Sequence, residues 1–168
     1  MTAATGPIIL IREASPEDVD PLVPLLAALF AIESDFEIDP ERQRQGLALL
    51  LEDKDHAVVF VAESVEEKRI VGMATAQRLV STAEGGYAAL VEDVIVHEHF
   101  RRHGIGRRLM KALISWARKN ALTRLQLLYD TSNPPALLFY ESLSFQKTGL
   151  SCVRMKGLTP FSLLLSPA

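Results

Sequence analysis

The run Arg101-Arg102-His103-Gly104-Ile105-Gly106 sets positive charge beside two residues without side chains, directly ahead of an apolar stripe with helical spacing. A strand ending at Val96, a short loop and a glycine turn entering a helix together make an anion site. First-turn N–H groups of such a helix lack carbonyl partners and the helix dipole is positive there, so both point at negative charge. Without β-carbons at Gly104 and Gly106 a phosphate can reach the backbone, and Arg101, Arg102 and Arg107 add charge-assisted contacts. Arg108 and Lys111 extend the basic cluster, which asks for a compact anionic ligand. Two familiar phosphate motifs do not fit: the third glycine of a dinucleotide fingerprint is missing after Gly106, and no Gly-Lys-Ser/Thr ending occurs. A Gly-x-Gly by itself marks a structural turn equally well.

A second group of reactive side chains lies just upstream. Glu92 and Asp93 fall inside a β-rich segment, where a carboxylate is costly unless it faces solvent or a cleft. Strict alternation turns Val91, Asp93 and Ile95 to one face and Glu92, Val94 and Val96 to the other. Asp35 and Glu37 form a further acidic cluster, which reads first as solvated charge and second as the lining of a pocket for a cation. His56, His97, His99 and His103 have no metal-ligand spacing, so no metal is expected. Cys152 has no histidine partner in sequence and reads as a buried apolar residue, and Tyr140, taken alone, reads as an aromatic core residue.

These groups need elements to hold them. Ile8 to Arg12 is β-rich, and Ser15-Pro16-Glu17-Asp18 then starts a helix whose apolar positions run from Val19 to about Ile32, with Pro21 and Pro24 bending or delaying it. Asp39-Pro40-Glu41 starts a second helix, ending near Asp53. Ala57 to Glu63 and Arg69 to Val80 read as a hairpin around the charged turn Ser64 to Lys68, and Tyr87 to His97 follows as a third long strand. The helix opened by Gly104 buries Ile105, Leu109, Ala112, Leu113, Trp116 and Ala117 and stops at Asn120. Leu122 to Tyr129 reads as a buried strand and Asn133-Pro134-Pro135 as a helix start reaching Leu143. Phe145 to Thr148 and Cys152 to Lys156 read as two closing strands. The order β-α-α-β-β-β-α-β-α-β-β is an α/β (α+β type) fold around a mixed, mostly antiparallel sheet flanked by helices.

Bulk properties set the class. A chain of 168 residues with 48% hydrophobic and 23% charged content suits one globular domain over 1–168, with 158–168 a loosely docked tail. No apolar stretch approaches the ~20 residues a bilayer crossing needs, and Met1 to Pro7 lacks the basic and apolar regions of a secretory signal. With a single cysteine the expected compartment is the cytoplasm, with no membrane partner. A net charge of −3 argues against nucleic acid as a partner.

Two blocks resemble the GNAT superfamily of acyl-CoA-dependent N-acetyltransferases: Val94 to Gly106, and Asn133 with Phe139-Tyr140-Glu141-Ser142-Leu143-Ser144-Phe145. The first is similar to the family's Arg/Gln-x-x-Gly-x-Gly/Ala pyrophosphate turn, and the second to its asparagine ahead of a Phe-Tyr-x-x-x-Gly-Phe segment. The resemblance covers about Arg69 to Lys156 and implies a GNAT-like splayed sheet with the cofactor wedged beside the fourth strand. It implies acetyl-CoA as acetyl donor, with Val94, Ile95 and Val96 lining its pantetheine arm, Arg101, Arg102, His103, Gly104, Ile105, Gly106 and Arg107 cradling its phosphates, and Asn133 contacting the arm. Glu98, Arg102 and Ser144 depart from the pattern, since a proline is common at the first position and a glycine at the other two.

The activity so implied is direct transfer of an acetyl group, in a ternary complex, to a primary amine of a small molecule or peptide. Tyr140 would protonate the departing thiolate. An ammonium must lose a proton before it attacks, and Glu92, Asp93 or a water chain could take it, with Glu92 on the face of Val94 and Val96. A homodimer is an admissible assembly. Two other readings remain: an acyl-CoA-binding sensor without turnover, and a nucleic-acid module built on Arg101 to Lys111.

Overall fold

The computed structural model describes residues 6–33 and 35–158. The first five residues, Ser34 and the expected tail beyond Leu158 lie outside the described residues. Strand β1 (Ile9–Glu13) leads through a 3-10 turn (Pro16–Asp18) into α1 (Val19–Phe30), followed by α2 (Pro40–Glu52). The hairpin β2 (Ala57–Ser64) and β3 (Arg69–Ser81) precedes β4 (Gly86–Val96). A second 3-10 turn (Glu98–Phe100) leads to α3 (Ile105–Lys119), and β5 (Arg124–Leu127) and α4 (Pro134–Glu141) follow.

Start signals in the sequence account for the helices. Asp39 accepts hydrogen bonds from the backbone N–H groups of Glu41 and Arg42, with Pro40 in the first turn of α2. Asp18 accepts from the Ser15 N–H at 2.7 Å and pairs with the Arg12 guanidinium, also at 2.7 Å, fixing the exit of β1. That contact holds the Asp18 carboxyl below its ordinary range. Pro24 sits inside α1, and the chain enters that helix through the 3-10 turn.

The sheet has the order β1-β2-β3-β4-β5. Its first four strands are antiparallel, and β5 adds in parallel to β4. One face packs on α3 through Ile105, Leu109, Met110 and Leu113 against Val58, Ala74, Ala76, Ala89 and Val91. The other packs on α1 and α2 through Leu22, Leu26, Leu47 and Leu51 against Val59, Val61, Met73 and Ile95. At ~1.5–3 kcal/mol for each fully buried side chain of this size, these two layers hold the sheet rigid beneath its loops. Among the described residues, no helix is long and apolar enough to cross a membrane.

The fold departs from the sequence reading at three places. The alternation expected along β4 fails: Met73 pairs with Ile95 but Thr75 pairs with Glu92, so β4 carries one extra residue, and Asp93 takes a left-handed backbone with φ 45°. Val91 therefore shares a face with Val94 and Val96, while Ile95 lies on the opposite one. The expected buried strand Leu122 to Tyr129 is only the four-residue β5, half-exposed because it pairs on one side alone. The closing strands at Phe145–Thr148 and Cys152–Lys156 do not form. Leu150 and Val153 are 88% and 95% exposed, so no apolar burial offsets the entropy of fixing that segment in a ladder. Cys152 is likewise exposed, not buried.

The two residues that stand where the family pattern has glycine adopt glycine-like backbone, with φ 67° at Arg102 and φ 70° at Ser144. A side chain in this region costs about 1–2 kcal/mol. Ser144 is exposed, so removing its side chain loses little packing. Ser144→Gly is expected to stabilise the fold by about 0.5–1 kcal/mol after the added freedom of the unfolded chain is deducted. That is a rise of roughly 1–4 °C in melting temperature; a lower melting point would mean that the serine hydroxyl holds the turn.

Candidate active site

Gly104 is the N-cap of α3 and has φ 73°, a conformation that favours glycine. A β-carbon built there would meet nothing within 4 Å, so the space above the turn is open. No acidic residue lies in the first turn of α3, and its dipole is not neutralised locally. Gly106 differs from expectation: its missing β-carbon faces the Phe139 ring at 3.3 Å and lets α3 and α4 touch. The missing side chain serves helix packing, while the Gly106 N–H belongs to the first turn of α3, where such groups lack carbonyl partners.

The arginines near the turn divide by their contacts. Arg101 folds back, its Nε donating to the Val96 carbonyl at 3.0 Å. Arg107 reaches Ser142 at the end of α4, donating to its carbonyl at 3.3 Å and its hydroxyl at 2.8 Å. Arg108 donates to the Ile9 carbonyl at 2.7 Å. Arg102 and His103 are exposed beside the open turn.

Beside this turn β4 has a free edge. Its ladder with β5 ends at the pair Val91 and Leu127. Beyond it, the backbone from Glu92 to Val96 has β3 on one side and, among the described residues, no strand on the other. Opposite stands α4, capped by Asn133, whose side-chain oxygen lies 3.4 Å from the Ala136 N–H. Tyr140 on α4 packs edge-on against Phe139 and Phe145 at centroid distances of 5.2 and 5.9 Å.

One cleft brings Tyr140 together with Glu92, Asp93, Glu33 and Asp130. The bulge decides this arrangement. Alternation would send the two neighbouring acids to opposite faces, but both turn toward the same strand: Glu92 accepts from Gln77 Nε2 and Asp93 from Thr75 Oγ1, each at 3.2 Å. Burial, and then the adjacent Glu92 carboxylate, pushes Asp93 up to about 6. Burial, and then the charge of Glu33, pushes the Tyr140 phenol up to about 12. Glu33 is itself raised, first by burial and then by Asp130 and Asp35. Asp130 is lowered, mainly by the Ser132 hydroxyl that donates to it.

Sequence reading singled out Glu92, Asp93 and Tyr140 but missed Glu33, Thr75 and Asp130. Glu33 had a signal, as an acid at the end of an apolar helix beside the Asp35 cluster; Thr75 and Asp130 had none. The described residues contain no group of three side chains suited to a metal ion.

A model of the acetyltransferase (GNAT) family matches residues 26–145, from within α1 to the end of the Tyr140 segment. The chain belongs to the GNAT acetyltransferase family. The fold agrees: this GNAT chain superimposes on a possible acetyltransferase from Clostridium difficile 630 with a TM-score of 0.78 at 22% identity, covering 90% of this chain and 99% of that one. An aminoglycoside N-acetyltransferase, AAC(6')-Iy, solved in complex with CoA, gives a TM-score of 0.77 at 17% identity, covering 92% and 98%. In sequence, this family member is 25% identical over 107 residues to an uncharacterized N-acetyltransferase, ycf52, of Porphyra purpurea. The match takes in 64% of this chain and 57% of that relative, so the chain spans little more than half the length of the relative.

Proposed function

We propose that this acetyltransferase, working as one domain over its whole length, transfers an acetyl group from acetyl-CoA to a primary amine while both are bound. The observation that carries this reading is that Tyr140 and Asp93 line one cleft beside the free edge of β4, both within the field of Glu33. Acetyl-CoA supplies an activated thioester. The residues present suit it: Gly104 leaves open space over an uncompensated helix N-terminus, and β4 offers unpaired backbone to a chain-like ligand. Backbone of Val94, Ile95 and Val96 would hold the pantetheine arm, Arg101 to Arg107 the phosphates, and Asn133 the far side of the arm.

Asp93, rather than Glu92, takes the proton from the incoming ammonium. A carboxyl pushed up to about 6 is ionised at neutral pH yet is a stronger base than an ordinary aspartate. Glu92, exposed beside it, holds charge against the same ammonium. An N–H of the free β4 edge near Val96 polarises the thioester carbonyl. Tyr140 then donates its proton toward the sulfur as the C–S bond breaks. Its phenol, held near 12, keeps that proton throughout the neutral range. The nitrogen, now bonded to the acetyl carbon, gives up its second proton to the tyrosinate, and Asp93 passes its proton to water, so each ammonium acetylated releases one proton to solution.

Release of free thiol from acetyl-CoA, dependent on an added amine, tests this reading. Gly104→Val belongs in the same assay: a β-branched residue at φ 73° strains the turn and fills the open space above it. The dissociation constant for acetyl-CoA is expected to rise at least about tenfold, equivalent to ~1.4 kcal/mol, with the protein still folded. Unchanged affinity by calorimetry would place the pyrophosphate elsewhere.

A further inference from the structure

Tyr140 sits on a helix with little to hold it. None of the eight residues of α4 is fully buried, and its last turn carries no basic residue to meet the carbonyls that a helix end leaves without N–H partners. Phe139 and Tyr140 lean on the core beneath α3, each only partly buried. A general acid works only within hydrogen-bond reach of its target. Whatever fixes the end of α4 therefore fixes the reach of the phenol.

The first turn of α3 does so through two consecutive residues. Gly106 admits the Phe139 ring, 3.3 Å from where its β-carbon would lie. Arg107 carries its guanidinium across to Ser142, the residue that closes α4: Nη1 donates to the Ser142 carbonyl at 3.3 Å and Nη2 to its hydroxyl at 2.8 Å. That hydroxyl in turn donates to the Phe139 carbonyl at 2.6 Å. The planar fork thus sets a cation and two donors at the negative end of α4, on the residues that flank Tyr140. Arg107 also faces the other way. The ladder of α3 begins with the Arg108 N–H donating to the Gly104 carbonyl, so the Arg107 N–H is one of the first-turn groups open to an anion. Its backbone belongs to the phosphate turn and its side chain to the helix of the general acid.

We propose that Arg107 is a positioning residue: its guanidinium caps α4 and so aims Tyr140 at the thioester sulfur, while the phosphates are left to the backbone of the turn and its other side chains. This rests on the acetyl-transfer reading above and adds a residue to it. The turn that meets the phosphates then also aligns the acid.

Arg107→Met keeps the alkyl stem and removes every donor. It should lower the single-turnover rate at least about tenfold, as misplacement of a catalytic group does. Acetyl-CoA affinity by calorimetry should change little at ~0.15 M salt, where exposed charges are screened. Ser142→Ala, away from the phosphates, should slow the reaction less because the carbonyl contact survives, and it carries the test should Arg107→Met not fold. Arg107→Lys keeps the charge and one donor and should restore part of the rate. In a Tyr140→Phe background Arg107→Met should cost nothing further, since it acts through the hydroxyl already removed. Equal losses in both backgrounds, or weakened acetyl-CoA binding at an unchanged rate, overturn the proposal. If Tyr140→Phe is as fast as wild type, there is no acid to position, and the proposal falls while acetyl transfer stands. A readout free of turnover is the fluorine resonance of 3-fluorotyrosine in place of Tyr140, which should shift or broaden in Arg107→Met. If no amine releases thiol, that signal decides: a change keeps Arg107 as the strut of Tyr140 and removes acetyl transfer alone, and a resonance identical to that of the parent protein overturns the proposal.

Discussion

Tyr140→Phe is expected to lower the single-turnover rate of acetyl transfer by about 10²–10⁴-fold, the usual span for a lost general acid. The ring packs between Phe139 and Phe145, and its hydroxyl makes no hydrogen bond among the described residues, so the phenylalanine keeps the packing. Acetyl-CoA affinity should change little and the loss should sit in kcat. The magnitude depends on a balance. A phenol near 12 is a weaker acid than a thiol of ordinary pKa about 8.5, so full proton transfer to sulfur is uphill on reference values. However, the burial and the Glu33 charge that raise the phenol also act on a thiolate beside it, which narrows the gap. Hydrogen-bond donation to the developing charge supplies the rest. Rates across a pH range separate this from slow product release. A Tyr140→Phe protein as fast as wild type in the chemical step would reduce Tyr140 to a core aromatic.

The order of elements through α4 was legible because each boundary had a local chemical mark: Ser15 and Asp39 at helix starts, Gly104 at the turn, Asn120 at a stop. The β4 bulge had none. Its extra residue exists only relative to β3, and the one local hint is that aspartate tolerates a left-handed backbone better than most residues. The bulge is nevertheless what places both acids in one cleft. Phe145 to Lys156 misled for the converse reason: β-rich composition describes a side chain's fitness for a sheet, and among the described residues no strand pairs with that segment. Gly104 and Gly106 look alike in sequence, yet one opens onto space and the other onto Phe139, a contact set by the docking of α4. Glu33 and Asp130 join the site only through tertiary packing, which no spacing rule reaches.

Asp93→Asn is expected to lose activity while gaining stability, a combination that a purely structural aspartate would not give. Asparagine keeps the shape, can still accept from Thr75 Oγ1, and tolerates φ 45°. What it removes is the ionisable group. The folded-state pKa of about 6 lies above the ordinary aspartate value near 3.8, so the folded protein binds the proton more tightly than the unfolded chain does. The stabilisation that this linkage brings is full below about pH 4 and is lost as pH rises through about 6. At pH 7 the wild type therefore carries a buried carboxylate at a cost on the order of 1–3 kcal/mol, which the asparagine variant does not carry. The variant should melt several degrees higher at pH 7 and show little of that gain near pH 4. Turnover at pH 7 should fall by about 10²–10⁴-fold, and the rise in kcat/KM through about pH 6 expected of the wild type should disappear. If the variant melts higher but keeps both its rate and that rising limb, the proton leaves the amine by way of Glu92 or water, and Asp93 only holds charge in the cleft.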